Sequence, residues 1–247
     1  MSRFSAFAIH LGLSLAIFVV LAYLVVFQWY PDFFFQTDGG WRGMRIIIFV
    51  DLVLGPMLTL VVYKAGKPGL KTDLTVIGLL QTVCLIAGTW VVYSERPITI
   101  VYNDSRFSVL SHDDYTAAGL AVPELDAFPG SSPKWVMVEV PTGVQEEADF
   151  RANIIKTGST ISMATQLYEP FDFQHEQVKG APISIEKLFG RKNRRPLLEA
   201  WLAEQNRPLD DFQFYNLASR FAYGALIFDK ATGTPVGVID FTGEQAD

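Results

Sequence analysis

The sequence contains a single cysteine, Cys84, and that residue stands inside an apolar run. An internal disulfide and a cysteine-based metal site are therefore excluded, and cysteine usage says nothing about redox compartment. Histidine is scarce as well, at three residues. The trio His112-Asp113-Asp114 adjoins possible ligands, but nothing at metal-site spacing accompanies it, and it reads as a solvated turn. Basic charge is short overall, with a net charge of −6. It divides into +2 over residues 1–94 and −8 over residues 95–247. Phosphate binding needs a basic footprint, so the acidic C-terminal part argues against nucleic acid as a partner. No Gly-x-Ser-x-Gly elbow occurs, and GKPGLK at 66–71 lacks the order of a phosphate loop. There is no internal repeat or low-complexity tract. Without an acid/base constellation, no catalytic, cofactor-binding or metal residue is assigned, and no cofactor is expected.

What the sequence does have is apolar length. Half of its residues are hydrophobic, and they concentrate before residue 94 in three runs, about 7–27, 46–62 and 74–93. About 20 apolar residues cross a bilayer as a helix, so each run is a candidate span. The first ends LVVFQWYP, without the small residues of a cleavage site, and is expected to be an uncleaved signal anchor. Trp29, Tyr30, Trp90 and Tyr93 fall where interfacial aromatics belong. The connection PDFFFQTDGGWRG at 31–43 is expected to be a short loop lying against the membrane surface.

Orientation follows from basic residues near span ends. Arg3 and the turn bearing Lys64, Lys67 and Lys71 outnumber Arg42 and Arg45 of the other loop. Lys/Arg excess marks the cytoplasmic side. The N-terminus and lysine turn are therefore expected inside, with residues 95–247 exported.

The second run carries one carboxylate, Asp51, and one Gly-Pro break, Gly55-Pro56. An intramembrane acid is costly and points to function by default. Taking Arg45 as the outer end of the span puts Asp51 roughly 9 Å deep at the helical rise. The same depth on the first span falls near Tyr23, whose hydroxyl is the expected partner. By the same reckoning His10 lies too far along the membrane normal to reach Asp51. Pro56 has no N–H, which frees the carbonyl of Leu52 beside Asp51. Asp51 reads first as a hydrogen-bonded tie between helices. The alternatives are a contact with a partner's transmembrane helix and a proton or ion pathway, for which one acid among three spans makes a poor relay. His10 reads as a tolerated interfacial residue or a partner contact.

Residues 95–247 suffice for one compact domain. Ile98–Tyr102 and Phe107–Leu110 around NDSR predict a hairpin, and WVMVEV at 135–140 predicts the strongest single strand. Helices are expected over Gly143–Lys156, Ile183–Phe189 and Pro196–Glu204. Ala225–Phe228 and Val236–Phe241 predict a second hairpin. With no regular βαβ alternation, the fold class is α+β: an N-terminal three-helix transmembrane bundle (residues 1–94) followed by an exported α+β domain. The basic run GRKNRR at 190–195 reads as a solvated face, with anionic headgroups or an acidic partner as the alternative. The aromatic set Phe171, Phe173, Phe212, Phe214, Tyr215, Phe221 and Tyr223 reads as core.

Three stretches together resemble one family: MSRFSAFAIHLGLSL, VDLVLGPMLTLVVYKAGKPGLKTDLTVIGLLQ and VVYSERPITIVYNDSRFSVL. They are similar to the TfpX/TfpZ (FimB-like) type IV pilin accessory proteins, densely over residues 1–110 and thinly beyond. On that resemblance Asp51, Gly55, Pro56, Lys64, Lys67, Pro68, Gly69 and Lys71 occupy the family motif. The resemblance implies an inner-membrane protein of a Gram-negative bacterium that assists pilin stability or pilus assembly. Its implied partners are the lipid bilayer and the major type IV pilin, met at its membrane helix and periplasmic head. It carries no active site over. The alternative from another class is a membrane-anchored periplasmic sensor or small-molecule binding module.

Overall fold

The computed structural model describes residues 2–141, 143–157 and 159–243. The chain divides into two compact units, Met1–Arg96 and Pro97–Asp247. The first unit holds three helices long and apolar enough to cross a membrane: Arg3–Trp29, Gly40–Val62 and Leu70–Ser94. Each is longer than its apolar run. The largest extension is at the start of helix two, because the expected loop at 31–43 is mostly helical. A short helix occupies Phe34–Thr37, and Gly39 (φ 97°) caps the start of helix two at Gly40. Phe34, Thr37 and Asp38 are buried. A Cβ on Gly40 would press on the rings of Phe35 and Tyr30, so this connection closes only on glycine. Tyr30 is buried, and its hydroxyl donates to the carbonyl of Val92 near the end of helix three at 2.8 Å.

Helices one and two each contain a π segment, Leu24–Trp29 and Ile48–Leu54. The second has a clear local cause. Pro56 cannot supply the N–H that an α pattern would send to Leu52, so the ladder slips by one residue before it. The N–H of Gly55 accordingly bonds Val50 O, five residues back, and regular α-helix resumes over Gly55–Val62. The proline expected to kink the helix thus leaves a wider turn around Asp51. The lysine turn needs glycine at Gly66 (φ 76°) and Gly69 (φ 80°), where a Cβ would be strained. Lys67 pairs with Asp73 at 2.5 Å, an exposed bridge of the kind worth less than about 1 kcal/mol.

The second unit is built on a seven-stranded mixed sheet, making the chain α+β. Its strands are β1 Pro97–Asn103, β2 Arg106–Ser111, β3 Lys134–Val138, β4 Tyr168–Pro170, β5 Phe212–Ala218, β6 Tyr223–Asp229 and β7 Pro235–Asp240. The order is β4-β3-β1-β2-β5-β6-β7. Both expected hairpins form, as the antiparallel pairs β1–β2 and β6–β7. β1 runs parallel to β3 and β2 parallel to β5. The strands alternate in two registers and bury both faces. On one face of β5 and β6, Phe212, Phe214, Ala225 and Ile227 pack under the helices Ile185–Phe189 and Arg195–Gln205. Tyr215 and Phe228, intervening in the same strands, join Tyr102, Phe107, Trp135 and Phe171 in an aromatic cluster. The hydroxyls of Tyr102 and Tyr215 donate to the carbonyls of Gln177 and Val178, pinning that segment over the cluster. Most of the expected aromatic core is confirmed, but Tyr223 stands exposed.

The basic run is split by its geometry. Arg191, Lys192 and Arg195 are exposed, whereas Arg194 is 6% exposed. Its guanidinium donates to Leu188 O at 3.0 Å and lies 4.1 Å from the Phe241 ring centroid. One residue of the expected solvated face is therefore a core residue. His112-Asp113-Asp114 begins a helix, and Asp114 closes a capping box with Ser111.

Asp229 ends β6 and organises the turn to β7. Arg207 donates to Oδ2 at 2.6 Å, and the N–H groups of Ala231 and Thr232 donate to Oδ1 at 2.9 Å each. Arg207 first, and then the Thr232 N–H, hold this carboxyl down to about 2. Its ordinary value is about 4, so the contribution is complete above that pH and is lost as pH falls toward the folded value. Acid titration of the detergent-solubilised full-length protein is expected to show an unfolding midpoint that falls between about pH 4 and pH 2. Asp229→Asn should remove this step while leaving the rest of the acid response in place.

Candidate functional site

The membrane unit contains one concentrated group of polar side chains, drawn from all three helices. Asp51 (2% exposed) and Ser14 (2%) are buried, as is Thr59. Ser14 Oγ donates to Asp51 Oδ1 at 3.3 Å, and Gln81 Nε2 donates to the same oxygen. Gln81 Nε2 also reaches the main-chain carbonyl of Asp51 at 3.2 Å and Ser14 Oγ at 3.3 Å. The other end of the amide, Gln81 Oε1, accepts from His10 Nε2 at 2.9 Å. His10 Nδ1 pairs with Thr59 Oγ1 at 2.6 Å. In a hydrocarbon slab these groups have only each other, and the network ties helix one to helix two and both to helix three.

One expectation about this site is corrected. Tyr23 is not the partner of Asp51: it is 56% exposed and its ring packs against Phe27. His10 makes no direct bond to Asp51, in keeping with the depth expected for it, and is linked to Asp51 through Gln81, which bonds both. Part of the error lay in the origin of the depth scale. Helix two starts at Gly40 instead of near Arg45, so Asp51 sits about halfway along it. The residue of helix one opposite Asp51 is Ser14, about nine residues from Tyr23, or some 13 Å at the helical rise. Ser14, Thr59 and Gln81 were not anticipated. A polar residue within an apolar run was the available signal, and attention to charged groups alone passes over uncharged ones.

Gly55 and Pro56 are buried beside this network. A Cβ on Gly55 would overlap the Gln81 side-chain amide, with Cδ only 2.5 Å away. Glycine here is the space in which Gln81 lies. Gly55→Ala is therefore expected to push Gln81 off Asp51 and destabilise the solubilised protein by about 1–3 kcal/mol, the cost of unpairing a buried polar group. Thermal unfolding followed by helical signal checks this. Lys64, Lys67, Pro68, Gly69 and Lys71 are exposed and take no part in the network.

In the sheet unit, a cleft of about 480 Å³ lies where β1 and β3, a parallel pair, both end. Its charged lining is Asp104, Glu147 and Arg151. Arg151 bonds Asp104 at 2.9 Å and Glu147 at 2.8 Å. Those two hydrogen bonds hold the guanidinium well above its usual range. The neighbouring core buries a hydroxyl chain, Thr99–Tyr115–Tyr168, whose last member donates to Ser162 O at 2.5 Å. Burial pushes both phenols up, so neither is a base near neutral pH.

Fold and site together define a multi-span membrane protein whose helices are tied by an uncharged-and-acid polar layer and which carries an α+β unit. Comparison with known proteins shows the family. The chain is 26% identical over 207 residues to the fimbrial assembly protein, serogroup I, of Dichelobacter nodosus, covering 82% of this chain and 80% of that protein. The serogroup E1 fimbrial assembly protein of the same organism matches at 25% over 207 residues with the same coverage. The fimbrial assembly protein of serogroups C1 and C2 is 31% identical over 109 residues, covering 43% of this chain and 82% of that protein. The chain belongs to this family of fimbrial assembly proteins. No family model matches, and no solved structure matches.

Proposed function

We propose that the chain is a non-enzymatic accessory protein of type IV pilus assembly, which binds the major pilin in the inner membrane and stabilises it before incorporation. The observation that carries this reading is the likeness, over 82% of the chain, to a protein named for fimbrial assembly. The motif resemblance to TfpX/TfpZ proteins, from Asp51 through Lys71, points the same way. In this reading residues 1–94 are the membrane domain and residues 95–247 the periplasmic one. The supporting physics is the excess of lysines in the turn between helices two and three, which favours a cytoplasmic position for that turn and for the N-terminus.

A pilin awaiting assembly offers a membrane helix and a folded head. A chain with a membrane bundle and a separate sheet unit can take one contact on each. Two weak contacts joined in one chain reinforce each other through effective concentration. The test is in-membrane crosslinking of the full-length protein co-expressed with the fimbrial subunit of its own bacterium. The subunit should be captured from sites in both units, and capture from neither overturns the reading.

A second reading, a membrane-anchored periplasmic sensor or small-molecule binding module, is favoured by the cleft at the ends of β1 and β3. Clefts beside the carboxyl ends of parallel strands are common ligand sites. That reading requires a bound small molecule in protein purified from membranes.

A further inference from the structure

Asp51 Oδ2 is the only buried side-chain polar atom without a hydrogen-bond partner among the described residues. Its position makes that omission costly, because hydrocarbon supplies no donor or acceptor. The shortfall is independent of protonation. As a carboxylate oxygen Oδ2 lacks a donor, and as a hydroxyl it lacks an acceptor. The atom lies inside the bundle, with an accessible surface under 1 Å². The other polar side chains of the network are partnered, so Asp51 Oδ2 is the place in the layer where a further group can add a hydrogen bond.

The same layer shows where the helices can part. Helices one and three each pack along helix two. They are joined to each other across the layer by one side chain, Gln81, which bonds His10 and Ser14. The two amide hydrogens of Gln81 serve three acceptors: Ser14 Oγ, Asp51 O and Asp51 Oδ1. A bridge shared among more acceptors than it has hydrogens can be partly replaced by an outside donor at little loss. The amide lies directly against Gly55, in the space that a Cβ would otherwise take.

We propose that the seam between helices one and three receives a membrane helix of the fimbrial subunit, and that this helix brings a hydroxyl, amide or ammonium donor to Asp51 Oδ2. This rests on the reading that the chain binds that subunit. The occupant follows from complementarity. An unpartnered carboxylate oxygen selects a donor, and its place about halfway along a 23-residue helix sets that donor near mid-bilayer. Asp51 is then a partner-binding residue, with Gln81 and Gly55 holding its other oxygen in position.

The test uses the full-length chain and the fimbrial subunit of the same bacterium in lipid nanodiscs, with association read by energy transfer. In Asp51→Asn, Ser14 and Gln81 hold the amide carbonyl in the place of Oδ1, so the NH2 takes the place of Oδ2 and a donor faces the incoming donor. Association should weaken by roughly tenfold, the upper range for one interhelical hydrogen bond in a bilayer. The double variant Asp51→Leu/Gln81→Leu should weaken association similarly while unfolding at a temperature close to wild type, which separates partner binding from a structural tie. Wild-type association in both variants overturns the inference and leaves the proposed function standing. An energy-transfer signal that arises from a second copy of this chain in place of the subunit also overturns it. No association of the wild-type chain overturns both.

Discussion

Gln81→Leu is expected to be the most damaging single substitution in the membrane unit, lowering the unfolding free energy of the solubilised full-length protein by about 2–4 kcal/mol. The leucine removes the amide that serves Asp51 and His10 and leaves the buried carboxylate with Ser14 alone. What costs energy is the polar group left behind more than the bond removed. Adding Asp51→Leu should therefore restore most of the loss, although it deletes a further polar group. Asp51→Leu alone should lie between the two, since the Gln81 amide loses one acceptor but keeps Ser14 Oγ and the main-chain carbonyl of residue 51. Denaturation in mixed detergent, followed by helical circular dichroism, gives all four corners of the cycle. A double variant less stable than either single variant would contradict the account of the layer as one mutually dependent unit.

Gly224→Ala is expected to have the largest effect in the sheet unit, at about 3 kcal/mol or more. Gly224 lies in β6 opposite Asp240 of β7. A Cβ there would overlap the carbonyl oxygen of Ile239 and sit 3.0 Å from its carbonyl carbon. These are backbone atoms of a paired strand, so the overlap cannot be relieved by a side-chain rotation. Parting β6 from β7 would also loosen Ile239 and Phe241 from the core they share with Phe189 and Phe214. Urea unfolding reported by tryptophan fluorescence checks this, because Trp201 lies against Gly237 of β7.

The parts of this structure that were legible in the sequence are those governed by local pattern. Apolar length identified all three membrane helices, and β-rich runs around turn residues identified the hairpins β1–β2 and β6–β7 but not β5–β6. The limits of local pattern show equally in particular residues. β5, the strand that joins the two halves of the sheet, was visible only as aromatic residues assigned to a core. Its pairing with Arg106–Ser108 spans nearly three quarters of the domain and has no local signal. Arg194 looked like its exposed neighbours because charge runs do not reveal which member turns inward onto Phe241. In the membrane unit, Asp51 stood out as an acid, but its partners Ser14 and Gln81 are uncharged. Their identity depends on where helix two starts, which Gly39 and Gly40 fix through a backbone geometry no hydropathy window registers. Moving that start from Arg45 to Gly40 accounts for about half of the distance along helix one from Tyr23 to Ser14.

The family relation and the two-unit build make one account: a membrane bundle with an incomplete polar layer, and a sheet unit on the same chain, both serving the fimbrial subunit. The most direct test is deletion of the gene in its own bacterium, with subunit abundance in the membrane and fimbriae on the cell surface measured together. The account predicts that both fall, and that the wild-type chain supplied in trans restores both. Normal subunit abundance and normal surface fimbriae in the deletion strain would contradict it.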